Sequence, residues 1–173
     1  VHEPYTFQVA GKAGDYYWIE IEQNRRVSTR HGSSFIIESQ SFAAFDAQHL
    51  EFVKEIPALV IPGTIKEYLV AGNSSFSQLV LSEANEKTKL FLNRYSADGA
   101  QESESRLLDS LPFSAPGTRF LLARSEDLSR ILLIGFESRP DQSPRLHTIL
   151  FDADWHVLYH SFLEHPYFTQ PCI

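Results

Sequence analysis

The residue types best suited to chemistry in this chain lie close together near its C-terminal end. Asp152 and Asp154 form an Asp-x-Asp pair, and His156 follows two residues later. Clustered carboxylates attract Ca²⁺, but the ion needs about six to eight oxygen ligands. An Asp at a turn commonly accepts hydrogen bonds from nearby backbone instead, and Asp46 takes the equivalent place in an earlier stretch. We therefore predict a structural role for this pair and no metal ion.

The histidines of the same stretch have a spacing that also raises the question of zinc. His156 and His160 are four residues apart, which suits a shared ion when both lie on one helix. The stretch alternates like a β-strand, on which four residues span about 13 Å, too far for two side chains to share an ion. The sequence therefore predicts no zinc here, and it indicates no cofactor elsewhere.

Sequence signatures of enzymes are missing. Neither GxSxG nor GxxxxGK[ST] occurs. Carboxylate pairs for glycoside hydrolysis can be drawn from Glu20, Glu22, Glu137 or Asp152, but spacing does not choose among them. Glu20 and Glu22 alternate with isoleucines, which is typical of a strand with an exposed acidic face. The sequence thus names no catalytic residue and favours a protein without catalytic activity.

The two tryptophans are the remaining candidates for recognition. Trp18 and Trp155 could each stack on a sugar or a peptide, and Asp152, Asp154 and His156 would then belong to the same recognition surface. The alternative is that both rings pack in the core or against a turn, where a large ring buries the most area.

Composition excludes several classes of partner. The net charge is −7 and the 15 basic residues are scattered, whereas nucleic acids and anionic membranes demand clustered Lys and Arg. The single cysteine, Cys172, rules out an internal disulfide and a cysteine-rich metal site. No run approaches the length of a membrane helix. Because the chain starts at Val1 and contains no Met, we expect a processed or excised part of a longer polypeptide.

A strand–turn–strand pattern that recurs three times positions most of these residues. The three stretches are Ser41–Ile56, Leu90–Arg106 and Leu146–Glu164, and they align on Phe45, Tyr95 and Phe151 before each turn. A repeat of about 50 residues, with alternating apolar residues and no long helical periodicity, is typical of propeller blades. We predict one all-β domain of three four-stranded antiparallel units, at about residues 5–57, 65–110 and 118–164.

Other architectures remain open. A helix over Ala43–Glu55 would also place several apolar residues on one face. A single antiparallel barrel or sandwich of about 8–10 strands fits the length, and Gly14–Trp18 loosely resembles the Gly-x-Trp opening of lipocalin-type barrels, which carry small ligands. The 50-residue repeat speaks against a simple barrel.

Two short features carry a resemblance to a known group of proteins. Ala123–Leu133 is a serine–acidic turn followed by an apolar strand, and Phe151–Leu158 is an aromatic–Asp–x–acidic hairpin. With these features, the segment from about Ile65 to Phe162 resembles the β-propeller-like conserved cell-envelope proteins of Bacteroidetes-type bacteria. The resemblance implies a propeller-like fold and a periplasmic or cell-surface location, and it brings no activity and no catalytic residue. Such proteins usually carry more repeats than this chain.

The expected function follows from the expected architecture. A propeller ring needs about four to eight blades to close. Three units would therefore leave an apolar sheet face open at each end, and exposed apolar patches of this kind are typical of interfaces. We predict a non-catalytic binding or assembly module whose end faces meet further repeats of a longer polypeptide, a protein partner or another copy of the chain. A small-ligand carrier is the alternative, and a hydrolase with its site on the repeat loops is a third hypothesis.

Overall fold

The computed structural model describes residues 5–29, 32–84, 87–111, 118–137 and 144–164. Val1 and Cys172 lie outside these ranges. Twelve β-strands make up the described residues, which contain no helix and hence none able to span a membrane.

The strands form three four-stranded antiparallel sheets, each built from strands that are consecutive in the chain. Sheet 1 contains β1 (Tyr5–Ala13), β2 (Tyr16–Thr29), β3 (Gly32–Asp46) and β4 (Phe52–Pro57). Sheet 2 contains β5 (Thr64–Ala71), β6 (Ser75–Ala84), β7 (Lys87–Ser96) and β8 (Arg106–Leu111). Sheet 3 contains β9 (Thr118–Arg124), β10 (Arg130–Glu137), β11 (Arg145–Asp152) and β12 (Val157–Glu164). The prediction of three blade-like units is confirmed.

The barrel and the helix are not what the chain adopts. None of the three sheets closes into a barrel, so the lipocalin-type barrel loses its scaffold. The helix over Ala43–Glu55 is wrong as well, because β3 continues to Asp46 and β4 begins at Phe52. Alternation in this segment, together with turn-forming Asp46, outweighs its partial helical periodicity.

The repeated aromatic residue marks the same point in every sheet. Phe45, Tyr95 and Phe151 are each the second-last residue of the third strand, immediately before the turn to the fourth. Side chains alternate between the two faces of a strand, so the aligned residues define equivalent faces of the three sheets. Faces of different sheets can therefore be compared with one another.

Two compact units make up the chain. The first contains residues 1–62, 67–80 and 92–106, and the second contains residues 63–66, 81–91 and 107–173. The residues of sheet 2 are thus divided between them.

An aromatic cluster forms the core of the first unit. Trp18 lies 4.6 Å from Phe76 between ring centroids, and Phe76 stacks on Tyr95 at 4.8 Å. Phe42 contacts both Phe76 and Tyr95 edge-on, at 5.4 and 5.3 Å. All four rings are buried. Because Trp18 and Phe42 belong to sheet 1 and the other two to sheet 2, this cluster is where sheet 1 packs on sheet 2.

The core of sheet 3 follows the same alternation. In β10, Ile131 and Leu133 are buried, while Leu132 and Ile134 between them are only half-buried. On the neighbouring strand β11, Ile149 and its in-phase neighbours on the same face are buried too. Central strand β10 is therefore covered fully on one face and only partly on the other.

Candidate functional site

The Asp-x-Asp stretch forms a hydrogen-bonded turn between β11 and β12. The Asp152 Oδ1 atom accepts hydrogen bonds from the backbone N–H groups of Asp154 and His156, both at 2.9 Å. The His156 ring Nδ1 lies 3.0 Å from Asp152 Oδ2. These contacts, the backbone donor of His156 first, lower the pKa of Asp152. The carboxylate thus holds the turn together.

The turn of sheet 1 repeats this chemistry at Asp46. Its Oδ1 accepts from the backbone N–H groups of Gln48 at 2.9 Å and His49 at 2.8 Å, and the His49 ring lies 3.0 Å away. These hydrogen bonds lower the pKa of Asp46. The same use of Asp at equivalent points of two sheets supports the structural interpretation of Asp152.

The two histidines of the zinc-like spacing contact different carboxylates. His156 pairs with Asp152, while His160 Nδ1 lies 3.6 Å from Asp109 Oδ2. Within the ranges that the structure describes, no three His, Cys, Asp or Glu side chains group in a way that could hold a metal ion.

Both tryptophans are buried, so they present no exposed stacking platform, and packing, the alternative use, is what the structure shows. Trp18 has no exposed surface, and its ring Nε1 donates a hydrogen bond to the Ala97 carbonyl oxygen at 3.2 Å. Trp155 is 3 % exposed and packs on Phe151, with 5.5 Å between ring centroids. Large rings fill space under turns efficiently, which explains why both lie inside the fold.

A pair of buried glutamates lies where sheet 1 meets sheet 2, and the sequence did not reveal it. Glu20 is 2 % exposed and Glu67 is 8 % exposed. The buried Gln40 amide bridges them, because its Nε2 donates to Glu20 Oε1 at 2.5 Å and to Glu67 Oε2 at 2.7 Å. Gln78 Nε2 adds a second donor to Glu67 Oε2 at 2.6 Å. Two carboxyl groups are thus held together by amides in the core of the first unit.

The hydrogen-bond chain continues through sheet 2. Gln78 Oε1 accepts from Asn93 Nδ2 at 2.7 Å, and Asn93 Oδ1 accepts from the Ser105 hydroxyl. The Tyr95 hydroxyl donates to Gln78 Oε1 at 3.4 Å and accepts from the Leu59 backbone N–H at 3.4 Å. Fully connected polar networks of this kind fix one arrangement of the packed elements, because any slip leaves buried groups unpaired.

Burial governs the protonation of the glutamate pair. Loss of water, and then the neighbouring charge of Glu67, raises the pKa of Glu20 from 4.5 to about 7. Burial also raises the pKa of Glu67, against the hydrogen bonds from Gln78 and Gln40. Two close carboxylates resist ionising together. At neutral pH Glu20 is therefore partly protonated, and this proton is enclosed by the packing of the two sheets.

The predicted exposed acidic face of β2 is therefore wrong at Glu20. The buried face of β2 is the one that carries Trp18, not the one that carries the isoleucines. Glu20 lies two residues from Trp18 and shares its buried face, and Glu67 is likewise in phase with buried Leu69 and Ala71 on β5. Alternation from a large buried ring is the signal that would have found the first glutamate. Glu67 meets Glu20 because sheet 1 packs on sheet 2, and no pattern within a single strand predicts that contact.

The opposite face of sheet 1 is open and apolar. On β1, Phe7 is 64 % and Val9 is 66 % exposed, and Tyr5 stacks beside Phe7 at 6.4 Å between ring centroids. Phe7 faces Ile21 of β2, and Val9 faces Ile19. A shallow cavity of about 400 Å³ opens on this face. Its lining residues are Tyr5, Phe7, Ile21, Gln23, Ser39, Ser41 and Glu55.

No protein-family model, no curated protein and no solved structure matches the chain. The Asp152 turn and both tryptophans serve the fold, and the glutamate pair is enclosed by its own hydrogen-bond partners. Among the described residues, the apolar face around Phe7 and Val9 is a surface that remains exposed in the fold.

Proposed function

We propose that this chain is a non-catalytic binding or assembly module, and that the open face of sheet 1 is its binding surface. The observation that carries the proposal is the row of exposed apolar side chains on β1, above all Phe7 and Val9. Contiguous apolar patches in water are typical of interaction sites. Burying one such side chain stabilises an assembly by about 1.5–3 kcal/mol.

The form of this surface supports a protein partner. The exposed side chains stand on one face of a regular sheet, and the register from β1 across β2 to β3 carries Phe7, Ile21 and Ser41 side by side. A mixed apolar and polar face whose cavity is shallow suits another sheet or a protein surface better than a small molecule, because small ligands favour enclosed, concave sites.

The proposal extends to the location of the module. The resemblance of Ala123–Leu133 and Phe151–Leu158 to conserved envelope proteins supports a periplasmic or cell-surface position. No catalytic role is proposed: Asp152 is engaged in its turn, Glu20 is buried in the core, and Glu137 lies 3.3 Å from the His147 ring nitrogen.

The experiment compares binding of the neutral apolar dye Nile red to the dilute protein and to two double variants. Phe7→Ser with Val9→Ser removes two of the four most exposed apolar side chains on the open face, and we expect dye fluorescence to fall to about half. Val60→Ser with Leu107→Ser is the matched control, since Val60 and Leu107 are also exposed and lie in the β4–β5 connection and in β8. Equal fluorescence from all three proteins would contradict the proposal.

A further inference from the structure

The three sheets have equivalent faces, which can be named by the aligned aromatic residue. The leading face of each sheet is the one that carries Phe45, Tyr95 or Phe151. The trailing face is the opposite one, and in sheet 1 it carries Trp18 and Phe42. The open surface around Phe7 and Val9 is the leading face of sheet 1, because Val9 pairs with Ile19 and Ile19 pairs with Ala43, two residues from Phe45.

The fold shows how such faces combine. In the first unit, the trailing face of sheet 1 packs on the leading face of sheet 2. Phe42 on the trailing face contacts Tyr95 on the leading face, with 5.3 Å between ring centroids. The polar chain from Gln40 to Glu67 and Gln78 crosses the same contact. In this protein, the trailing face of one sheet thus packs on the leading face of another.

The central strands of sheet 3 are more open on the opposite face. On the leading face, Phe151, Ile131 and Leu133 are buried, and the exposed apolar residue Phe162, at 68 %, lies on edge strand β12. On its trailing face, Leu121 of β9 is 67 % exposed and Tyr159 of β12 is also exposed. Between them, Leu132, Ile134 and Leu150 are half-buried. This surface is apolar and is complementary in type to the open leading face of sheet 1.

We infer that the open leading face of sheet 1 receives the open trailing face of sheet 3 from a second copy of this chain. The inference rests on the proposed function and names its partner. Such a contact joins two different surfaces, head to tail, and forms a closed ring when the rotation allows it. The contact would repeat between molecules the packing that already joins sheet 1 to sheet 2.

The test measures molar mass by sedimentation equilibrium, with one aspartate placed on each face. The wild-type chain is expected to show twice its 19.7 kDa mass at concentrations up to about 100 µM, where an interface with a micromolar Kd is filled. Val9→Asp and Leu121→Asp should each lower dimer formation at least tenfold, because each places a charge in an apolar contact. Val60→Asp and Leu107→Asp are the matched controls and should leave the mass unchanged.

Mixing the two interface variants gives the decisive observation. In a head-to-tail pair, the intact trailing face of the Val9→Asp chain can still meet the intact leading face of the Leu121→Asp chain. An equal mixture should therefore regain a dimer that neither variant forms alone. Circular dichroism checks that both variants keep the β-sheet signal of the wild type.

Three results would overturn the inference. A wild-type monomer over the whole concentration range would exclude self-association, whereas Nile red binding at the open face would still support the proposed function. A dimer lost in Val9→Asp but kept in Leu121→Asp would mean that two leading faces meet each other. A mixture that stays monomeric would contradict the head-to-tail arrangement.

Discussion

Glu20 shows how far a single residue can depart from the pattern in which it sits. The carboxyl lies in a strand that alternates acidic and apolar residues, yet it is buried and hydrogen-bonded to Gln40 at the contact with sheet 2. Carboxyl groups in such surroundings keep their proton to higher pH than in water. The groups that act on Glu20 are Glu67 on β5, Gln40 on β3 and Glu22 on its own strand. Gln78 on β6 and Tyr95 on β7 act on Glu67 instead.

The glutamate pair makes stability depend on pH in a definite direction. The folded pKa of Glu20, about 7, lies above its ordinary value of 4.5. Its contribution is therefore fully present below pH 4.5 and is lost as the pH rises through 7, and the raised pKa of Glu67 acts in the same direction. We predict that the free energy of unfolding falls between pH 5 and pH 8, by on the order of 3 kcal/mol from Glu20.

Urea unfolding at several pH values checks this prediction. Glu20→Gln keeps an oxygen that accepts from Gln40 but has no proton to lose, so its stability should change much less over the same interval. Glu51→Gln, at an exposed position, is the control and should follow the wild type. A wild-type protein equally stable at pH 5 and pH 8 would contradict the assignment.

At the scale of the strands and turns, the sequence correctly predicted those features that depend only on residues close together in the chain. The third-strand turn after Phe45, Tyr95 and Phe151 was correct, because strand alternation and the turn chemistry of Asp46 and Asp152 act over a few residues. The burial of Glu20 and its meeting with Glu67 could not be predicted, since both depend on which sheet packs on which.

The turn of sheet 2 illustrates how packing selects a residue. Gly99 has φ of +81°, in the left-handed region, and a Cβ there would lie 2.5 Å from the Trp18 ring. The equivalent turn of sheet 3 places Trp155 at φ of +64°. A side chain is tolerated at that conformation where the fold leaves room, but not beneath Trp18.

We therefore predict that Gly99→Ala destabilises the protein by about 1–3 kcal/mol, from the strained φ and the displaced Trp18 ring together. Thermal unfolding followed by Trp fluorescence measures the loss, with Trp18 and Trp155 both contributing to the signal. Gly72→Ala is the comparison, because its φ is not positive and a Cβ would lie 3.3 Å from its nearest neighbour, the Ser75 carbonyl oxygen. An equal loss of stability in the two variants would mean that the close approach to Trp18 does not contribute to the effect of Gly99→Ala.

At the scale of the whole molecule, the central feature is a leading face left open on sheet 1 and a trailing face left open on sheet 3. The repeat allowed the number of sheets to be predicted, since each repeat corresponds to one sheet. It did not indicate which face of each sheet would be open, because that depends on the packing of sheet 1 on sheet 2. Phe7, Val9 and Leu121 are exposed, and the proposal assigns them to contacts between molecules.

The most direct test is the dependence of thermal stability on protein concentration. Any contact that forms only between folded chains raises the melting temperature as the concentration increases. If the open faces associate, a hundredfold increase in concentration should raise the wild-type Tm by about 3–5 °C, and Val9→Asp should abolish the dependence while Val60→Asp retains it. A wild-type Tm that stays constant over this range would contradict assembly through these faces.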